Sequence, residues 1–365
     1  MSHFFEGLCT SLTPPRNPNP LVVFQRCSIF APPMSRGKTM RKFRIGAVVC
    51  FGFLAFALSF ASPVNAAPPA QSALPSCDRQ CLYGFLDQYL AALKAKDASR
   101  LPLARNFRYS ENNVMMKFPD GVWGTITGLG DYNLRTADPI NGAVGFYGVV
   151  QETNNTSTFA LRLKVVDSRI SEAETLIRRT DGGGAFPSKP VMVDKPILNE
   201  IVPVAERSPR ERMIAIADGY FSTLQLNDGV LFTQFDDDCN RMENGLMTTH
   251  NPDLVKTIPV ANLGCGQQFK LGNYRYDTRV RDRRFFLVDE ERGLAMTAGF
   301  LDHDGRLENF TLTDGTPIKS PMRTPSTLCL LELFKIRGGK IQQVEAVFIG
   351  VPYNIPSPWI QYPSN

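Results

Sequence analysis

Two stretches of the chain carry apolar residues at helical spacing, and each is followed by text in which apolar and polar positions alternate. Between Cys81 and Lys96, the residues Leu82, Phe85, Tyr89, Ala92 and Leu93 share one stripe. That spacing predicts an amphipathic helix, closed by Asp97-Ala-Ser99. Strand-like segments follow around Phe107–Ser110, Val122–Ile126, Ala143–Gln151, Thr158–Val166 and Ile170–Ile177. The last two read as a hairpin turning at Asp167-Ser168, with one face toward a core and one nearer solvent. A second helix is predicted over Met213–Leu226, then strands near Thr278–Val288, Gly293–Leu301, Thr327–Ile336 and Lys340–Phe348. Their closing hairpin turns at Arg337-Gly-Gly339, which suits positive backbone angles.

The two runs match one another in order. Asp87-Gln-Tyr89 with Leu93 and Asp97 returns as Asp218-Gly-Tyr220 with Leu224 and Asp228. Arg108, Glu111 and Asn112 return as Arg241, Glu243 and Asn244, one residue shorter. Asp138 through Gly142 returns as Asp289 through Gly293, and Arg169-Ile170 with Glu174 returns as Lys340-Ile341 with Glu345. Four matches in one order predict two copies of one α+β domain, over residues 77–179 and 208–360. The stretch 180–207 between them is rich in Gly and Pro and reads as a linker. The second copy is the longer, with extra text at 245–277 and 303–326, a size typical of lids or binding segments.

The N-terminal text belongs to processing, not to fold. Met40-Arg-Lys-Phe-Arg44, the uncharged stretch from Ile45 to Phe60, and Val64-Asn-Ala66 have the layout of a secretory signal peptide over 40–66. Its apolar core is short for a membrane span, so no membrane attachment is expected after cleavage. Residues 1–39 then read as an extension ahead of the true start. Residues 1–66 hold seven of the 40 basic and one of the 35 acidic residues, leaving 33 against 34. The basic character therefore lies in the leader and gives no reason to expect a nucleic-acid partner. A periplasmic or secreted location makes cysteine pairing expected. Cys239 and Cys265 form the natural staple, Cys77 and Cys81 bridge only with local strain, and Cys329 reads as a free core thiol.

A helix followed by a curved antiparallel sheet that ends in a Gly-Lys-Ile-…-Glu hairpin resembles the nuclear-transport-factor-2-like (SnoaL-like) superfamily. Here the resemblance rests on Arg337-Gly-Gly-Lys340-Ile341 with Glu345, and on Asp167-Ser-Arg169-Ile170 with Glu174. Cys77-Asp-Arg, Leu90-Ala-Ala-Leu93, Gly121-Val-Trp123-Gly-Thr125 and Val351-Pro-Tyr353 with Trp359 look like a tandem-domain group within it, described mainly as proteins of unknown function. The resemblance implies two tandem cones, each a strongly bent sheet wrapped around helices with a deep apolar pocket. Members include cofactor-free isomerases, dehydratases, cyclases and formaldehyde-eliminating lyases, and also pure binding modules. The enzymes imply a shared scheme: a buried carboxylate or histidine moves a proton, and Tyr, Asn or Arg stabilises the negative charge that develops.

Against that scheme, His303 stands out in Leu301-Asp302-His303-Asp304-Gly305. It is either an exposed turn residue or an acid–base group at the cone mouth, oriented by Asp302. Glu332 lies between Leu330 and Phe334 on the inward face of a strand, either paired with Arg281 or Arg283 or chemically active. Arg279, Arg281, Arg283 and Phe285 alternate onto one face, where the arginines would bind a carboxylate, phenolate or enolate. Tyr276, Tyr353 and Trp359 offer aromatic contact surface, with Glu243 and Asn244 as polar partners, although a repeated Glu-Asn pair is also a common brace for a turn. No nucleophile elbow, dinucleotide loop or phosphate loop is present, and no metal or cofactor is expected. The expected ligand is a small hydrophobic or aromatic molecule, and homo-oligomerisation stays open. Two readings remain, an exported lyase or isomerase and a non-catalytic binding or structural protein. An acid facing an arginine or tyrosine across apolar space favours the first, and a filled interior the second.

Overall fold

The computed structural model of the protein describes residues 77–179, 186 and 190–361. The extension 1–39, the signal segment 40–66 and most of 180–189 lie outside the described residues.

The first helix, α1 (Arg79–Ala95), buries Leu82, Leu86, Tyr89, Leu90 and Leu93. Asp78 caps its start by accepting from Cys81 N, and Cys77 is bridged to Cys81 across the same turn. Then come β1 (Leu103–Glu111), β2 (Val114–Met115), the short α2 (Val122–Thr125), β3 (Ile126–Asp138), β4 (Ala143–Glu152), β5 (Asn155–Val166) and β6 (Arg169–Arg178). They form one mixed sheet of order β2-β1-β6-β5-β4-β3, with β1 and β6 parallel. The β5–β6 turn falls at Asp167 and Ser168, both with positive φ, as expected.

After the short α3 (Pro196–Asn199), the second run repeats the plan: α4 (Arg210–Leu226), β7 (Phe235–Glu243), β8 (Leu246–Met247), α5 (Cys265–Lys270), β9 (Arg279–Asp289) and β10 (Leu294–His303). A small hairpin, β11 (Asn309–Thr311) with β12 (Pro317–Lys319), precedes β13 (Ser326–Arg337) and β14 (Lys340–Val351). The second sheet has order β8-β7-β14-β13-β10-β9, strand for strand the order of the first, again with its first long strand parallel to its last. The fold class is α+β, with two tandem cone-like units. No helix among the described residues is long and apolar enough to cross a membrane.

Each sheet has an inner face against its own helix and an outer face against the other sheet. Inside the first unit, α1 packs on Tyr109, Trp123, Val144, Phe159, Leu161 and Ile177. Inside the second, α4 packs on Cys239, Phe269, Ala295, Leu330, Phe334 and Val344. The outer faces share a third core, in which Tyr147, Ala160 and Leu176 meet Met296, Phe300, Leu331 and Val347. Gly145 permits the close approach, because a Cβ there would run into Met296 Sδ. A strap after β14 then crosses back to the first unit: Asn113 donates to Pro356 O and Trp359 Nε1 donates to Ser110 Oγ.

Three sequence expectations change. Val122–Ile126 was expected as a strand but begins with the α2 turn, β3 was foreseen only at Ile126, and β7 was not foreseen. The segments 245–277 and 303–326 are not plain loops; they hold β8, α5 and the β11–β12 hairpin. The Cys239–Cys265 bridge forms as expected and ties α5 to β7, while Cys329 is free and buried.

Candidate functional site

The matched registers of the two sheets permit a residue-by-residue comparison of the two interiors. Lys164 pairs with Ala143, just after the Gly142 turn, and Lys335 pairs with Leu294, just after the Gly293 turn. Three residues earlier along each strand, Leu161 lies opposite Thr175 and Glu332 lies opposite Ala346. Glu332 therefore occupies the position that a fully buried leucine fills in the first unit. The β1–β2 and β7–β8 hairpins match in the same way. Met116 N donates to Tyr109 O, and Thr248 N donates to Arg241 O, so Arg241 stands where Tyr109 does. The helix residue between them is a tyrosine in both units, Tyr89 and Tyr220.

The consequence is that the second interior carries a carboxyl and a guanidinium where the first carries Leu161 and Tyr109. Glu332 is buried, with the Tyr220 hydroxyl as its hydrogen-bonding neighbour. Burial, and then the charge of Glu243, push its carboxyl up to about 8, while Arg241 and Tyr220 pull the other way. Arg241 is 2% exposed, low enough that every N–H needs a partner inside the protein. Its guanidinium donates to Gln268 Oε1 (2.6 Å), Thr248 Oγ1 (3.2 Å) and the Tyr274 hydroxyl, and lies 3.2 Å from Glu243 Oε2. Gln268, on α5, is held by donating to the carbonyls of Thr248 and Val260. The disulfide that fixes the start of α5 therefore also fixes this partner of Arg241.

A second pair of groups lies at the end of β10. His303 is 1% exposed, which rules out the exposed-turn reading; the strand runs through it. Its Nε2 lies 2.6 Å from Asp277 Oδ1, its Nδ1 has no partner among the described residues, and the Tyr276 ring is 6.0 Å away. Burial holds the Asp277 carboxyl above its ordinary range, with His303 opposing. Phe310 of the β11–β12 hairpin packs 6.3 Å from Tyr276.

Several expected site residues lie elsewhere. Asp302 does not orient His303. Successive strand residues point to opposite faces, and Asp302 accepts from Arg279 and Arg281 and from Thr327 Oγ1 (2.6 Å) on the outer side. Arg281 and Arg283 do not share a face. Residues 282 and 283 bulge opposite Gly299, with Asp282 at φ 54°, so Arg281 joins Phe300 outside and Arg283 turns in toward α4. Neither arginine pairs with Glu332. Arg283 instead bonds Asp218 Oδ1 and Ser222 Oγ, each at 2.9 Å. Tyr353 is 44% exposed, and Trp359 lies against Arg108 and Arg162 of the first unit, so neither lies beside His303. Asn244 braces a turn: it exchanges hydrogen bonds with the Phe348 backbone, as Asn112 does with Ile177. Of the expected set, Glu332, Glu243, His303 and Tyr276 line the second interior. Tyr220, Arg241, Gln268, Tyr274 and Asp277 were missed. For Tyr220 the internal repeat was the available signal; for Arg241 it misled, because the sequence match pairs Arg241 with Arg108 while the strand registers pair it with Tyr109.

A family model described as a domain of unknown function (DUF8021) matches residues 206–348, the stretch that holds α4 and nearly all of the second sheet. No functionally curated protein matches the chain. Among solved structures, the chain is similar to a steroid delta-isomerase from Pseudomonas aeruginosa, with 14% identity over 29% of this chain and 85% of that one and a TM-score of 0.24. It is also similar to an NTF2-like protein of unknown function from Cytophaga hutchinsonii (9% identity, 39% and 100% covered, TM-score 0.22). A third likeness is to a cystatin-like-fold protein from Caulobacter vibrioides, with 11% identity, 38% and 88% covered and a TM-score of 0.20.

Proposed function

We propose that the protein is an exported, cofactor-independent lyase or isomerase that acts on a small hydrophobic, aromatic molecule inside the second unit. The observation that carries this reading is Glu332, a carboxyl placed in an apolar strand face where the first unit keeps Leu161. With its carboxyl pushed up to about 8, Glu332 stays largely protonated near neutral pH and serves as a general acid toward a carbonyl or a leaving hydroxyl. Arg241, Tyr220 and Tyr274 are the donors for negative charge developing on the substrate, each turning from its present partner to reach it. Glu243, whose charge reaches Glu332, supplies the base, because His303 stands six residues along β10 from the strand partner of Glu332, roughly 20 Å at the rise of a strand. Elimination of water or of formaldehyde is the chemistry that such an acid–base pair serves. The signal-peptide text at 40–66 and the two disulfides support export.

One observation favours the rival, a non-catalytic binding or structural protein. Arg241 and Gln268 are buried and already bonded to their neighbours, as a filled interior would be. The deciding experiment offers the purified protein a panel of aromatic β-hydroxy ketones and diaryl alcohols, with mass spectrometry for loss of water or formaldehyde. Turnover that falls at least a hundredfold in Glu332→Gln, at an unchanged fold by circular dichroism, supports the enzyme. Turnover undiminished in that variant, or none with any of the panel, sinks it.

A further inference from the structure

The two units differ at one more matched place, the groove between the first helix and the bulged edge strand. In the second unit this groove is plugged from within. The Arg283 guanidinium leaves the β9 bulge, lies over Phe221, and bonds Asp218, Ser222 and Gln225 along one face of α4. The repeat that aligns Asp87 with Asp218 and Leu93 with Leu224 makes Asp87, Ala91 and Lys94 the matching face of α1. There β3 bulges more widely: Leu129 pairs with Val150 and Asn133 with Gly148, so three β3 residues bow out opposite one. Arg135 bonds Asp87 as Arg283 bonds Asp218, yet the groove beside it stays open as a cavity of about 220 Å³.

Its floor is apolar and its rim carries more positive than negative charge. Leu90, Leu129 and Phe146 form the floor, and Lys94, Asn133 and Arg135 stand at the edge. Arg135 is held in place by Asp87 at 2.6 Å and by Asn133 Oδ1 at 2.7 Å, which offsets the one acid among the lining residues. Lys94 is left as the uncompensated charge, where the second unit has the neutral Gln225. The volume is below the roughly 300–1,000 Å³ of sites for drug-sized ligands, which limits the occupant to about one ring. We infer that this groove is a binding site for a small flat carboxylate, with its ring on Leu129 and Phe146 and its oxygens on Lys94 and Arg135. The site lies in the other unit from Glu332 and does not depend on the catalytic reading.

The test is titration of the purified protein with sodium benzoate, followed through the methyl signals of Leu90 and Leu129, with neutral benzamide as control. Saturable binding of benzoate is expected, weakened about tenfold by Lys94→Glu, the loss of one charge-assisted contact. Ala91→Arg, which plugs the groove as Arg283 does in the other unit, should abolish it. Both positions are exposed on α1, and both variants should melt with the wild type. Benzamide binding as tightly as benzoate, undiminished benzoate binding in Lys94→Glu, or no saturable binding in the wild-type protein overturns the assignment.

Discussion

At the scale of single residues, Glu332 sets function against stability. A carboxyl that ionises at about 8 when folded and near its ordinary 4.5 when unfolded binds its proton more tightly in the native state. Its contribution is therefore fully present below about pH 4.5 and is lost as pH rises toward 8. The melting temperature should fall across that window, and Glu332→Leu should flatten the fall. Because Leu161 already shows that the position accepts leucine, the variant should also be more stable at pH 8, by on the order of 1–4 kcal/mol. Thermal melts at half-unit pH intervals check this, and a slope unchanged in the variant counts against the buried acid. The inward orientation of Glu332 was legible in the sequence, since it alternates with Leu330 and Phe334. Its partner was not. Tyr220 comes from a helix far away in sequence, and strand alternation says nothing about which helix residue lies above. The exposed-turn reading of His303 fails for a local reason: Asp304-Gly305 marks a turn, but the strand runs two residues past the expected Leu301 and takes His303 in.

At the scale of elements, what the sequence hid was irregularity. Arg279, Arg281 and Arg283 alternate as text, and one bulge at Asp282 sends the third to the opposite face. β3 and β7 escaped notice because Gly, Asp and Asn interrupt their apolar alternation, as in Asp236-Asp-Asp238. The long helices α1 and α4 and the strands β4, β5, β6, β9, β10, β13 and β14 were legible, because a stripe of apolar residues and clean alternation report burial directly. The insertion carrying α5 is the element on which the site depends most. The Cys239–Cys265 bridge closes a loop across 26 residues, and a bridge of that span stabilises by about 3 kcal/mol. Replacing both cysteines by serine should lower the melting temperature by several degrees. It should also loosen Gln268 from Arg241, seen as faster hydrogen exchange in residues 260–272. A lowered melt without that local loosening would mean that α5 is held by packing alone.

At the scale of the whole molecule, the repeat turns out to encode an interface. Glu174 and Glu345, the matched glutamates of the last strands, both lie on the outer faces, and each reaches the edge strand of the other unit. Glu174 meets Arg284 of β9 as well as Arg162 (2.9 Å), and the two arginines hold its carboxyl below the ordinary range in spite of burial. Glu345 meets the Tyr132 hydroxyl of β3 at 2.7 Å, and its Oε2 has no partner among the described residues. The charged groups that face it are Lys195 and Asp194 of the segment before α3, with Tyr147 across the seam. Burial pushes its carboxyl up to about 7, with Lys195 opposing. The two halves of one interface therefore respond to pH in opposite senses. Glu174 supports docking above the ordinary carboxylate range and loses that support only as pH falls through its depressed value. Glu345 supports it most when protonated and loses that support as pH rises from about 4.5 through 7. Arg284→Met should leave Glu174 short of a partner and cost about 3 kcal/mol at pH 7. Glu345→Gln should leave stability at pH 5 nearly unchanged and raise it at pH 8. Parallel melts of the two variants at both pH values check the pair. If Glu345→Gln proves neutral at pH 8, its carboxyl is compensated there, and the asymmetry between the matched glutamates lies in geometry alone.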